Sequence, residues 1–208
     1  LRRINPHLPD TALEQAMAIV AKPESLDTIV SNRGFHRLLL DGVPVEYKRD
    51  DEIIHDHAFL IDFTDLNANR FRAINQFTIE GSKQLRRPDI ICFINGLPLA
   101  VLELKSPTAE NVDIWDAFNQ IQTYKDEVPD LFAYNQAVVV SDGYNARVGS
   151  LTANQERFMP WRTIKHEDDK PLLDWQLETM VRGFFDRELF LDYLRYFVIF
   201  ETDSDKLV

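Results

Sequence analysis

The stretch Arg86–Ser106, "RRPDIICFINGLPLAVLELKS", reads as two apolar segments joined at Asn95-Gly96, a dipeptide favoured in tight β-hairpins. Such segments belong in a core, yet the first opens with Asp89 and the second closes with Glu103 and Lys105. Buried charge is costly unless it is paired or used. Glu103 and Lys105 are two residues apart, so they project from the same face of a strand. A plain two-residue hairpin pairs Ile94 with Leu97 and sets Asp89 against Leu102, on the opposite face from Glu103. A three-residue loop or a bulge moves the register by one, brings Asp89 opposite Glu103 and gathers the three charges on one face. Pro98 cannot donate to a ladder, so a disturbed register is the expectation.

Two carboxylates at roughly 4 Å repel by about 4 kcal/mol at an effective dielectric near 20. They coexist as anions only beside a cation. Oxygen donors on a rigid strand suit Mg²⁺, which keeps several waters and accepts phosphate oxygens. The backbone carbonyl of Leu104, between the acid and the lysine, is a further oxygen donor. Such an ion lowers the pKa of water and neutralises charge on phosphorus. Lys105 can position or deprotonate that water, or stabilise the pentavalent state. The expected chemistry is metal-assisted phosphodiester hydrolysis, with Asp89, Glu103 and Lys105 catalytic and Asp89, Glu103 and the Leu104 carbonyl as metal ligands. The bland alternative is a salt bridge at a strand end, joining Asp89 or Glu103 to Lys105 or Arg87.

The 208-residue chain suits a single domain over residues 1–208, with an appended helical segment at about 171–197. Apolar residues make up 45%, enough for a core, and no apolar run approaches the roughly 18 residues that span a bilayer. The start, "LRRINPHLPD", has no apolar signal region, and it lacks an initiator Met, as does a fragment of a longer chain. Cys92 is the single cysteine, so no internal disulfide forms; the cytoplasm is the default location. The net charge of −11 argues against a stand-alone nucleic-acid binder, which would show a basic face. Lys83, Arg70, Arg72, Arg86 and Arg87 lead into Asp89 and would form a local positive patch if they converge.

The order of elements predicts an α/β fold, a mixed sheet flanked by helices. "LPDTALEQAMAIVAK" opens with a helix, Thr11 and Glu14 having capping-box spacing. "SLDTIVSNRGFHRLLLDG" gives one or two short helical pieces broken near Gly34. "VPVEYKRD", "HAFLIDF" and "NRFRAINQFTIE" are β-rich. "NVDIWDAFNQIQTYKDEV" carries a 3.6-residue apolar stripe and is an amphipathic helix. "QAVVVSDG" is a buried strand, "ARVGSL" and "RFMPWRT" shorter ones. "LLDWQLETMVRGFFDRELFLDYLRYF" gives two helices around Gly183, and "VIFETDSDKLV" begins as another strand. His55 and His57 flank Asp56 on a strand, but two imidazoles without further His or Cys make a poor zinc site. The phosphate-loop pattern GxxxxGK[ST] is absent, so the chain shows no ATPase motor.

The phrase "PDIICFINGLPLAVLELK" resembles the PD-(D/E)xK nuclease core and, more closely, the N-terminal nuclease domain of the restriction (R) subunit of Type I restriction-modification enzymes. The preceding "NQFTIEGSKQLRRPD", the helix carrying "QIQTY", and the later "VVVSDGYNARVGS" and "RFMPWRT" are similar to the same family, from about Glu46 onward. The resemblance implies a restriction-endonuclease-like fold and Mg²⁺-dependent cleavage of double-stranded DNA, the class of the Type I site-specific deoxyribonucleases. It implies that Gln120 and Tyr124 form the Gln-x-x-x-Tyr element beside the active site, that Arg87 supports DNA binding, and that Glu14, from an early helix, lies near the metal. It further implies that ATP is used only by the helicase region of a full-length R subunit. S-adenosylmethionine would be used only by the partner methyltransferase (M) and specificity (S) subunits, and no membrane is involved. A non-catalytic docking module of the same fold and a free-standing repair or resolvase-type nuclease are the alternatives.

Overall fold

A computed structural model describes residues 1–81, 84–108, 112–165, 175–203 and 206–207. Two helices come first, α1 (Asp10–Val20) and α2 (Thr28–Asp41), then a hairpin of β1 (Val43–Arg49) and β2 (Glu52–Ala58). The chain continues through β3 (Phe71–Asn75), the short β4 (Ile79–Glu80) and β5 (Leu85–Arg86), β6 (Ile90–Ile94) and β7 (Leu97–Leu104). After α3 (Ile114–Glu127) and α4 (Pro129–Phe132) come β8 (Ala137–Ser141) and β9 (Ala146–Gly149). The chain closes with α5 (Gln176–Thr179), α6 (Arg187–Asp192) and the small pair β10 (Thr202–Asp203) and β11 (Lys206–Leu207). Helices α5 and α6 each run on into a π turn, Met180–Phe184 and Tyr193–Phe197. Among the described residues no helix is long and apolar enough to cross a membrane.

The central sheet has the order β3-β6-β7-β8-β9; only the β7–β8 pairing is parallel, with α3 in the crossover. The sheet is therefore mixed and flanked by helices, as expected. Strand β8 is buried along its whole length, which explains its unbroken run of valines. Its Val138 and Val140 pack with Phe118, Ile121 and Phe132 beneath α3 and α4, while Ala137 and Val139 join the core formed with α1, α2, β1 and the C-terminal helices. On β7, Val101 faces α3 and Leu102 the other layer. Alternation then sends Glu103 and Lys105 toward α3.

Several local expectations give way to specific contacts. Pro9 is the N-cap of α1 and no side chain caps the helix, so Thr11 and Glu14 form no capping box. The α2 helix runs unbroken through Gly34; it is capped by Asp27, whose carboxylate accepts from Ile29 and Val30 N–H. Gly34 is thus an interior residue of the helix and not a break. The strand expected in "HAFLIDF" lies earlier, at Glu52–Ala58, because Asp50 and Asp51 take φ of 50° and 63° and make a tight turn. Phe59 beyond it is satisfied by Asn5, whose amide donates to its carbonyl and accepts from its N–H, both at 2.8 Å. Of "RFMPWRT", Met159 forms a single bridge to Val148 of β9, since Pro160 ends any ladder. Residues 198–200 join no ladder; the closing segment pairs with itself in β10–β11.

Candidate active site

The register disturbance expected in the β6–β7 hairpin is present. Ile94 pairs with Leu97 and Phe93 with Pro98 near the turn, whereas Cys92 pairs with Ala100, Ile91 with Val101 and Ile90 with Leu102. Leu99 is the additional residue, and it packs in the same layer as Ala100. The ladder ends at Ile90 and Leu102; Asp89 stands just before it, and one further step in the shifted register would fall on Glu103.

Asp89 is held from both neighbouring strands. The Leu104 N–H donates to its Oδ2 at 2.8 Å and the Gln76 side-chain amide to its Oδ1 at 2.7 Å. The Gln76 N–H also donates to the Asp89 carbonyl at 2.9 Å. Gln76 has φ 53°, a left-handed value that non-glycine residues seldom adopt. The turn at the end of β3 thus delivers a side-chain amide to the acid. Nothing in the sequence marks Gln76 for this role, because its signal is a backbone angle.

Glu103 is nearly sealed, its side chain 2% exposed. Its Oε1 accepts from Lys105 Nζ at 3.1 Å, while Oε2 is buried without a hydrogen-bond partner. Burial first, and then the charge of Asp89, push its pKa up to about 7 against the opposing pull of Lys105. An acid so placed calls for a proton or a cation. Lys105 also donates to the Gln120 amide oxygen, and Gln120 Nε2 donates to the Tyr124 hydroxyl at 2.5 Å. Both residues sit one turn apart on α3. That helix is fixed by Asp113, which caps it in a reciprocal arrangement with Asp116. The Tyr124 phenol, buried beside Glu103 and Asp89, is pushed up to about 12, chiefly by desolvation. It therefore remains a neutral hydroxyl.

Among the described residues no three His, Cys, Asp or Glu side chains are grouped to hold a metal ion. The donor set here is two carboxylates and a backbone carbonyl. The Lys105 N–H donates across to Ser141 on β8 at 2.8 Å, so Leu104 turns its own N–H and carbonyl toward β6. Pro88, beside Asp89, brings no N–H to that side. Together with the orphaned Glu103 oxygen, these groups fit a hard, water-rich cation such as Mg²⁺ and lack the soft ligands that zinc favours.

The structure thus brings together Asp89, Glu103, Leu104, Lys105, Gln120 and Tyr124. It does not bring in Glu14, which is exposed on α1 and has no hydrogen bond or ion pair among the described residues; α1 packs on β1, and its exposed face points away from the core. Arg87 is exposed beside the site without a partner of its own among the described residues. The five basic residues do not converge as one patch. Arg86 is drawn instead into an ion pair with Glu127 at the end of α3, and Lys83 lies outside the described residues. His55 pairs with Glu46 at 3.0 Å on the β1–β2 hairpin. Cys92 is a free, largely enclosed thiol whose pKa burial raises to about 11, which suits a structural role.

Residues 1–157 match the family described as the Type I restriction enzyme R protein N terminus. The chain is 45% identical over 207 residues to the Type I restriction enzyme HindI endonuclease subunit of Haemophilus influenzae, covering 98% of this chain and 20% of that one. It is 29% identical over 182 residues to the Type I restriction enzyme EcoprrI endonuclease subunit of Escherichia coli, covering 81% of this chain and 57% of that one. A 30% identity over 187 residues links it to the SsaAORF53P endonuclease subunit of Staphylococcus saprophyticus, with 87% and 19% covered. The chain spans about a fifth of the length of the HindI relative. By these matches, and with the nuclease-like sheet and its gathered acids already described, the chain belongs to the N-terminal family of Type I restriction enzyme R proteins.

Proposed function

We propose that this domain is a Mg²⁺-dependent endonuclease that cleaves double-stranded DNA as the cutting module of a Type I restriction enzyme. The observation that carries the reading is the meeting of Asp89, Glu103 and Lys105 on one sheet face, with a buried Glu103 oxygen left without a partner. Asp89, Glu103 and the Leu104 carbonyl would hold the ion, which when bound supplies charge neutralisation at the phosphorus and a more acidic water.

The chain's own residues do the rest. Gln76 and the Leu104 amide fix both oxygens of Asp89, so its orientation needs no reorganisation during reaction. Lys105 is aimed by Glu103 on one side and Gln120 on the other. Its ammonium can orient an attacking water or meet charge growing on a phosphate oxygen. Tyr124 holds Gln120 in turn, and the apolar face of α3 keeps bulk water from the Glu103 side. Glu103, with its raised proton affinity, is matched to exchange a proton near neutral pH or to accept a cation.

In this reading the remainder of the R protein carries the ATP-driven motor. Partner M and S subunits, using S-adenosylmethionine, recognise the DNA, and this strongly acidic domain supplies cleavage. The test is plasmid nicking by the assembled enzyme with ATP and Mg²⁺, comparing wild type with Asp89→Asn and Lys105→Met. Cleavage should vanish in both variants while ATP hydrolysis continues. Variants that cut at the wild-type rate would overturn the assignment, and an assembled wild type that never cuts would favour a docking module.

A further inference from the structure

A second charged feature lies on the same side of the sheet. Strand β3 is an edge strand, and residues paired directly across an antiparallel ladder share a face. Arg72 pairs with Phe93 and Ile74 with Ile91. Asp89, just before β6, and Ile91 and Phe93 on it are two residues apart, and extended alternation puts them on one face, so Arg72 lies on the side of Asp89. Arg72 and Arg70, together with Arg3 from the N-terminal segment, line an open cavity of about 470 Å³ whose floor includes Phe77 and Phe93. The two rings meet edge to face at 5.7 Å, and Phe77 is 42% exposed.

The formal charge is −11, and among the described residues none of these three guanidiniums is neutralised by an acid. Arg3 meets only a backbone carbonyl, that of Ala68, at 2.5 Å. Three unneutralised guanidiniums beside an exposed aromatic ring are suited to phosphate oxygens and to a stacked base or sugar. From Arg72 to Gln76 is four residues of strand, roughly 13 Å, and Gln76 is bonded to Asp89. At a rise of about 3.4 Å per nucleotide along one strand of a duplex, that is about four nucleotides.

We propose that Arg3, Arg70 and Arg72 on the open β3–β6 face bind the DNA backbone about four nucleotides from the bond positioned at Asp89. This rests on the endonuclease reading above, and it adds a track that sets where along the strand the cut falls.

The experiment measures binding of this chain to a short fluorescent duplex by anisotropy between about 20 and 200 mM salt. All proteins carry Asp89→Asn, so binding is read without cleavage. Removing one arginine from a phosphate should lower the salt slope by about 0.9, which at about 0.1 M salt weakens binding roughly eightfold for Arg70→Ala or Arg72→Ala and about 60-fold for both together. Arg37→Ala, an exposed arginine beside a different cavity, should leave slope and affinity unchanged. Thermal melts confirm that these surface changes leave the fold intact. Unchanged slopes in the double variant, or an equal weakening from Arg37→Ala, would overturn the track. Failure of the nuclease reading would show separately, as cleavage that survives Asp89→Asn.

Discussion

Replacing Glu103 by glutamine should make the metal-free protein more stable while abolishing its proposed activity. The wild-type carboxyl titrates at about 7 in the fold against 4.5 as its ordinary value. Between those pH values the native state holds a proton that the unfolded chain releases, so stability falls as pH rises through this window and levels off above it. The interval corresponds to about 3 kcal/mol. Glutamine keeps an acceptor for Lys105, has the same shape and never ionises. In EDTA at about pH 8, Glu103→Gln should therefore exceed wild type by up to about 3 kcal/mol, a rise in Tm of roughly 6–12 °C for a chain of this size. Near pH 4.5 the two should converge. Added Mg²⁺ should raise the wild-type Tm and leave the variant's unmoved. The assay is a thermal melt followed by circular dichroism across pH 4.5–8.5, with and without the ion. A variant no more stable than wild type at pH 8, or an advantage that persists undiminished at pH 4.5, would refute the claim that Lys105 only partly compensates the buried Glu103.

Other perturbations test the surroundings. Gln76→Ala removes one of the two side-on bonds to Asp89 and should slow nicking roughly fivefold to tenfold, the worth of about 1 kcal/mol, with a higher Mg²⁺ requirement in a metal titration. Tyr124→Phe removes the hydroxyl that holds the Gln120 side chain and should cost about 1 kcal/mol in chemical denaturation, with a partial loss of cleavage rate and none of DNA affinity. Gly149→Ala would drive a methyl to 2.5 Å from the buried Phe158 ring and should destabilise the fold by about 1–3 kcal/mol, seen as a lower urea midpoint.

The centre of the fold was legible because its signals are local. Apolar runs broken by Asn95-Gly96, the stripe of α3 and the valines of β8 each specify an element within a few residues. The register shift was legible for a different reason, since Pro98 disfavours a regular ladder and the positions of three charges demand one extra residue. What stayed hidden depends on partners distant in sequence. Asn5 satisfies Phe59 from 54 residues away and displaces the strand expected there. Gln76 reaches Asp89 through a left-handed turn that no residue type announces. Arg86 is taken by Glu127, 41 residues on, while Arg3 joins Arg70 and Arg72 from the far end of the chain. Glu14 shows the converse hazard, a residue placed by analogy whose helix turns it toward solvent.

The clasp at Asp89 bears on how an inactive control should be chosen. One carboxylate joins three consecutive sheet neighbours: it takes an amide from β7 and a side chain from the end of β3 while belonging to the start of β6. Truncating it to alanine would therefore loosen the rim of the sheet as well as remove a ligand, and a silent assay would mix two injuries. Among the described residues the Lys105 side chain bonds through its ammonium to Glu103 and Gln120 alone, so a methionine there leaves the strand ends fastened and isolates the chemistry.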